Sequence, residues 1–319
     1  MTGTDLTTAS GLSAPAETAD PAAPPYRPSR LWLALMAGGS MAAAAVMALA
    51  VFPYGSVNDD EAIYRVQAHT LASGHLFPAA PDPAIAFRPW LAALVQHHYV
   101  LKYTPVEAAV LAASHLATGS YVPGLMATVA ALVVATWLLA SELLGDTREA
   151  LLATALVACS PLVVIQSGLL LGYLTTLVLL ELFAWAAIRG VRRGSGRWFV
   201  LSGLALGIAG AIRAYDAIIF AGPFLVWAAF RLGRRALRPA AAFLLGGVGP
   251  LAGFLAYNKM ATGSLFKLPF NLQDSHDTIG FGLRRLNPTE DLHHFGPIQG
   301  LAGVGAHLLF LLIWVAGGP

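Results

Sequence analysis

Charge is scarce in this sequence. Asp, Glu, Lys and Arg together make up 11% of its 319 residues, where soluble globular proteins carry about 25%. So few charges cannot cover the surface of a water-soluble domain of this length. A soluble enzyme, a nucleic-acid binder and a disordered scaffold are therefore excluded as readings of the whole chain. Cysteine is nearly missing as well. A single residue, Cys159, excludes an internal disulfide framework and a thiolate metal site. Its place in an apolar run predicts a small core residue. What fills the chain instead is apolar: hydrophobic residues reach 57% and the mean hydropathy is +0.66. The fold class that follows is all-α, a polytopic bundle of transmembrane helices.

Residues 1–29 are rich in Ala, Pro, Thr and Ser and have no hydrophobic period. Such a composition buries no core and predicts a disordered cytoplasmic tail. Arg27 and Arg30 then precede the apolar stretch Leu31 to Phe52, which is long enough to span a bilayer and reads as an uncleaved anchor. From there to residue 319 the chain reads as one transmembrane domain. Its ending at Pro319, directly after an apolar segment, predicts a longer membrane protein cut short.

Further apolar segments run over about 105–118, 122–144, 150–165, 167–188, 199–212, 216–230, 239–257 and 301–318. Two arginine clusters, Arg189 to Arg197 and Arg231 to Arg238, mark cytoplasmic loops. Segments 199–212 and 216–230 then form a hairpin whose turn, Arg213 to Asp216, lies at the far side. Polar loops 53–104 and 258–300 share that extracytoplasmic side and are expected to carry short helices. Parity requires an odd number of crossings between Lys102 and Arg189, so 105–118, the shortest segment and the one holding Glu107 and His115, is assigned as interfacial or partly inserted.

The most informative stretch runs from Asn58 to Ala68, directly after the first span. Asn58 followed by Glu61 resembles a capping box at a helix start. Asp60, Tyr64 and Gln67 then share one helical face, and Glu61 can pair with Arg65 on another. Acids at a helix start also serve its dipole, which is the plain structural explanation. Position favours chemistry: a carboxylate at the lipid–water boundary meets a lipid-linked substrate from one side and a water-borne acceptor from the other.

Other polar residues carry less. His97-His98 and His293-His294 are adjacent pairs that point to opposite faces of an extended chain and make poor metal ligands. His276 and Asp277 read as solvated loop residues that can reach an acceptor. Glu181, inside an apolar segment, reads as a functional candidate or as a structural contact near the cytoplasmic face, close to Arg189. Trp90, Trp198 and Trp314 read as interfacial anchors.

Asp60-Glu61-x-x-Tyr64 after the first span resembles the start of the outer loop in the glycosyltransferase C superfamily, in the branch of protein O-mannosyltransferases and aminoarabinose–lipid A transferases. Lys102-Tyr103-Thr104-Pro105, Ser160-Pro161 after Gly145, Gly203 to Arg213, and Tyr257-Asn258 with Thr262-Gly263-Ser264 are similar to later motifs, in order. Thr104 and Ala214 stand where the family has proline, and Ile63 where some relatives have arginine.

The resemblance implies a glycosyltransferase C architecture and a membrane transferase at the cell membrane, of bacterial inner-membrane type. A sugar on a polyprenyl phosphate passes with inversion to a glycan, lipid or protein acceptor at the outer face. Membrane lipids are its surroundings, and nucleic acid is no partner. No cofactor is implied, and a divalent metal is left open. A phosphorylated lipid leaves readily, so one carboxylate suffices as base on the acceptor hydroxyl; Asp60 is the candidate, with Glu61 beside it orienting loop or acceptor. The leaving phosphate needs fixed cations: Lys102 first, Arg213 second and Arg88 third. Tyr64, Gln67 and Tyr103 complete the substrate loop. The rival classes are a lipid or solute transporter or flippase, which wants polar groups at the membrane midplane, and an inactive membrane partner protein.

Overall fold

The computed structural model describes residues 30–277, 280–285 and 290–316. The expected tail 1–29 and the side chain of Trp314 lie outside the described residues. The chain opens with α1 (Arg30–Val46), prolonged by a π-helical turn, Met47–Val51, and then α2 (Asp59–Ala72). After a 3-10 turn at Ala84–Phe87 come two short strands, β1 (Ala92–Val95) and β2 (His98–Leu101), and then α3 (Pro105–Thr118). The bundle continues through α4 (Val122–Leu144), α5 (Thr147–Ala158), α6 (Pro161–Gln166), α7 (Tyr173–Arg193), α8 (Gly196–Ile212), α9 (Ala214–Leu232) and α10 (Leu237–Thr262). The one-turn α11 (Phe270–Gln273), strands β3 (Gly282–Arg284) and β4 (His293–Phe295), and α12 (Pro297–Ala316) follow.

Among the described residues, five helices are long and apolar enough to cross a membrane: Arg30–Val51, Val122–Leu144, Tyr173–Arg193, Ala214–Arg235 and Leu237–Thr262. The all-α class holds, with the two antiparallel ribbons β1–β2 and β3–β4 as its only paired strands among those residues. Helix α3 is too short to cross, in agreement with its interfacial assignment.

One end of the bundle gathers the arginines. Arg189 and Arg192 of α7 both pair with Glu142 at the end of α4, and Arg189 lies against the rings of Trp185 and Trp198. Glu181 makes a different contact from the one its neighbourhood predicts. Its carboxylate accepts a 2.8 Å hydrogen bond from Thr136 of α4, in the buried α4–α7 seam, while Arg189 takes Glu142.

Two sequence expectations fail. The apolar run 167–188 is not one segment, because residues 167–172 leave the helix and α7 begins only at Tyr173. Irregular backbone at such depth needs partners within the protein, and Leu170 N–H donates to Glu61 Oε1 at 2.7 Å. Cys159, expected in the core, is exposed at the break between α5 and α6. Hydropathy alone does not separate a lipid-facing position from a core one.

Tight contacts hold the rest in place. A Cβ on Gly203 of α8 would sit 1.9 Å from the Phe243 carbonyl oxygen, and one on Gly246 of α10 would sit 2.0 Å from that of Val200. The two helices therefore touch backbone to backbone, which only glycine permits.

Candidate functional site

The end of the bundle opposite the arginines carries a cavity of about 280 Å³. Its wall includes Tyr64 of α2, Lys102, Tyr103 and Thr104 before α3, Arg213 and Asp216 at the α8–α9 turn, and Phe270, Asp277 and Arg284 from the later loop. Four separate stretches of chain thus converge.

Helix α2 presents the first group. Asn58 caps it, its side chain accepting from Asp60 N–H at 3.0 Å. The capping box is only half formed, because Glu61 does not reach back to Asn58. Its Oε2 accepts from Ser56 N–H at 2.6 Å and from the Ser56 hydroxyl, and its Oε1 takes Leu170. Glu61 is buried and latches the start of α2 to residues 167–172. Arg65 is exposed, so the expected pair with Glu61 does not form. Gly168 packs so closely on the π-helical turn that a Cβ there would lie 2.4 Å from Met47 Cβ. These contacts fix where α2 begins and so where Asp60 sits.

The face shared by Asp60, Tyr64 and Gln67 meets Tyr103. Tyr64 and Tyr103 stack with ring centroids 4.9 Å apart and planes within 8°. Gln67 Nε2 donates to the Tyr103 carbonyl at 3.0 Å, and the Tyr257 hydroxyl donates to the same oxygen at 3.4 Å. The Asp60 carboxylate faces the Tyr103 hydroxyl: burial first, then the Asp60 charge, pushes that phenol well above its ordinary range. Tyr64 is raised too, by burial and then by the charges of Glu107 and Asp60. Half-buried Asp60 remains partly open to solvent beside this tyrosine pair and is not itself part of the cavity wall.

The cations come next. Lys102 Nζ lies 3.0 Å from Asp277 Oδ2 and 4.4 Å from the centre of the Phe270 ring. Arg213 pairs with Asp216 and lies 4.4 Å over the ring of Tyr173. Both cations are thus held by acids of the cavity wall. Arg88 is exposed and outside that wall. Thr104, standing where the family motif has proline, donates its hydroxyl hydrogen to the Ala211 carbonyl and ties the Lys102–Thr104 strand to α8.

Asp277 is not the solvated loop residue its sequence suggests: it is buried, and burial outweighs Lys102 in raising its pKa. Asp274 is buried beside it, paired with Arg285 and accepting from His276 N–H at 2.9 Å. Arg284 and Asp216 were not singled out from the sequence as wall groups. The spacing Arg213-x-x-Asp216 was a readable signal for one pair; no local signal pointed to Arg284.

Comparisons with known proteins bear on the fold that carries this cavity. Residues 106–257 match the family described as dolichyl-phosphate-mannose-protein mannosyltransferase. That range runs from α3 to near the end of α10, so it contains Arg213 but not Asp60 or Lys102. Two solved structures from Archaeoglobus fulgidus share the fold: the oligosaccharyltransferase AglB in complex with an inhibitory peptide and a dolichol-phosphate, and the oligosaccharyltransferase in its apo form. Each has a TM-score of 0.54 at 15% identity and covers 76% of this chain. This chain in turn covers 31% and 32% of theirs, so it spans about a third of their length. No curated protein matches the sequence. The helical architecture is shared with these two structures and is similar to the glycosyltransferase C-like architecture that the sequence motifs implied.

Proposed function

We propose that this chain forms the site of a membrane glycosyltransferase that moves a sugar from a polyprenyl-phosphate donor to an acceptor at the extracytoplasmic face. The observation that carries this reading is the cavity in which Lys102, Arg213 and Arg284 meet the Tyr64–Tyr103 pair, with Asp60 facing Tyr103. The family match and the fold support it. The donor phosphate takes the cations in place of Asp277 and Asp216, which hold Lys102 and Arg213 in its absence. The acceptor hydroxyl oxygen attacks the anomeric carbon from the face opposite the phosphate. As that bond forms, the bond to the phosphate oxygen breaks and the lipid phosphate leaves with the electron pair. Asp60 takes the hydroxyl proton as general base, and the cations stabilise the charge growing on the phosphate. Displacement from the opposite face inverts the anomeric configuration.

The test is release of polyprenyl phosphate from a panel of lipid-linked sugars in membranes carrying the full-length protein. Release with at least one donor, dependent on an added acceptor, is the expected outcome. Failure with every donor, together with lipid or solute flux across the membrane, would replace this reading with a transporter.

A further inference from the structure

That mechanism leaves one buried acid of the site unused. Glu107 lies in the first turn of α3, is 2% exposed, and its Oε2 has no hydrogen-bond partner among the described residues. An acid can complement a helix dipole from the surface, so that role does not by itself require burial. The Glu107 Cβ lies near the Tyr64 hydroxyl. A Cβ placed on Gly172 would lie 3.5 Å from both Glu107 Cβ and the Tyr64 hydroxyl, so these two atoms are at most twice that distance apart. Tyr64 stacks on Tyr103, and Tyr103 faces Asp60. The Thr175 hydroxyl of α7 faces the carboxyl as well, also without completing a hydrogen bond. Other titratable groups around this point are Asp60 on α2, Tyr173 on α7, Arg213 at the α8–α9 turn and, further along α3, His115.

We propose that Glu107 is a positioning residue of this site, a buried acid that fixes Tyr64 and, through the stacked rings, Tyr103 and the Asp60 carboxylate. The inference rests on the function proposed above. Burial favours the neutral form and pushes the acid up to about 7, against the opposing influence of Thr175. Ionisation would then place an uncompensated charge behind the tyrosine pair and disturb it.

Two variants and two readouts test this. Glu107 has a higher pKa in the folded state than in the unfolded chain, so the unfolded chain loses its proton first as pH rises. Folding is therefore penalised progressively from the ordinary carboxylate range up to about 7, and the penalty is full above that. Glu107→Gln keeps the shape and cannot ionise. Its melting temperature in detergent should rise relative to wild type between about pH 5 and about pH 8. In the transfer assay it should hold wild-type turnover to within about twofold near pH 6 and keep it at higher pH, where wild type falls. Glu107→Ala should lose about tenfold to a hundredfold in kcat with little change in KM, because it displaces reacting groups without touching substrate.

Wild-type turnover in Glu107→Ala overturns the proposal. So does a Glu107→Gln variant whose pH profile and melting curve both track wild type. If wild type itself releases no polyprenyl phosphate, the proposed function fails, while the melting comparison still decides whether Glu107 is held as a neutral acid.

Discussion

Lys102 Nζ and an Asp277 carboxylate oxygen stand 3.0 Å apart and join the two polar loops across the mouth of the cavity. Both side chains are largely withdrawn from water, so the pair is neither a screened surface contact nor free to a ligand. Under the proposed function, a donor phosphate would compete with Asp277 for the same ammonium. Loss of the cation and loss of its competitor should therefore act in opposite directions.

Lys102→Ala should weaken donor binding and slow transfer by about tenfold or more, the cost of one charge-assisted contact. Lys102→Arg keeps the charge and should retain part of the activity. Asp277→Asn should bind donor more tightly than wild type, by about threefold to tenfold. Direct titration of lipid-linked sugar in nanodiscs measures all three. Equal donor affinity in wild type and Lys102→Ala would show that this lysine holds the loops together and nothing else.

Asp60→Asn keeps the size of the side chain but cannot accept a proton. General-base catalysis contributes about 10²–10⁴-fold, so transfer should fall at least about a hundredfold while expression and membrane insertion stay normal. Asp59 is exposed and serves the helix start. Asp59→Asn should be much milder. Wild-type turnover in Asp60→Asn, or a dead Asp59→Asn, would assign the base elsewhere.

Local pattern made part of this site legible. Asn58, Asp60, Tyr64 and Gln67 are close in sequence, and helical periodicity alone puts the last three on the face that meets Tyr103. The parity of crossings likewise marked 105–118 as the segment that does not span, and the 14-residue α3 is too short to cross. Glu61 was harder: its partner, Leu170, lies far along the chain and offers only a backbone N–H, which no residue type advertises. Asp277 looked solvated for the same reason. Its burial depends on Lys102 arriving from another segment. Leu169 to Leu171 read as part of a span because they are apolar, yet they pack under α2 and α3. Glu107 was visible only as a blemish in an apolar segment, since its burial comes from packing between distant segments that no local pattern shows.

The backbone contact between α8 and α10 sets the position of the Arg213 turn relative to Tyr257. Gly203→Ala and Gly246→Ala each force a methyl group into a carbonyl oxygen at about half the normal contact distance. No rotamer relieves a clash with backbone, so the helices must separate. Overpacking of this kind costs about 1–3 kcal/mol or more, and both variants should melt at clearly lower temperature in detergent. Gly253→Ala, on the same helix with no atom within 4 Å of the new methyl group, is the control. A Gly203→Ala protein as stable as Gly253→Ala would mean that α8 and α10 do not touch as described.

The sidedness of the whole site can be tested independently of activity. The arginine clusters lie at one end of the bundle and the cavity at the other, and such clusters collect on the cytoplasmic side. On that rule the proposed function expects the cavity to open outside, where a lipid-linked donor would meet its acceptor. Ser73, exposed at the end of α2, marks the cavity end; Ser195, which makes no side-chain cap bond before α8, marks the arginine end. On a Cys159→Ser background, Ser73→Cys should react with a membrane-impermeant maleimide in intact cells. Ser195→Cys should react only once the membrane is opened. The reverse pattern would put the cavity in the cytoplasm and remove both the extracytoplasmic acceptor and the role of Asp60 there. Labelling of both positions in intact cells would instead show a leaky preparation, which a cytoplasmic marker protein detects in the same sample.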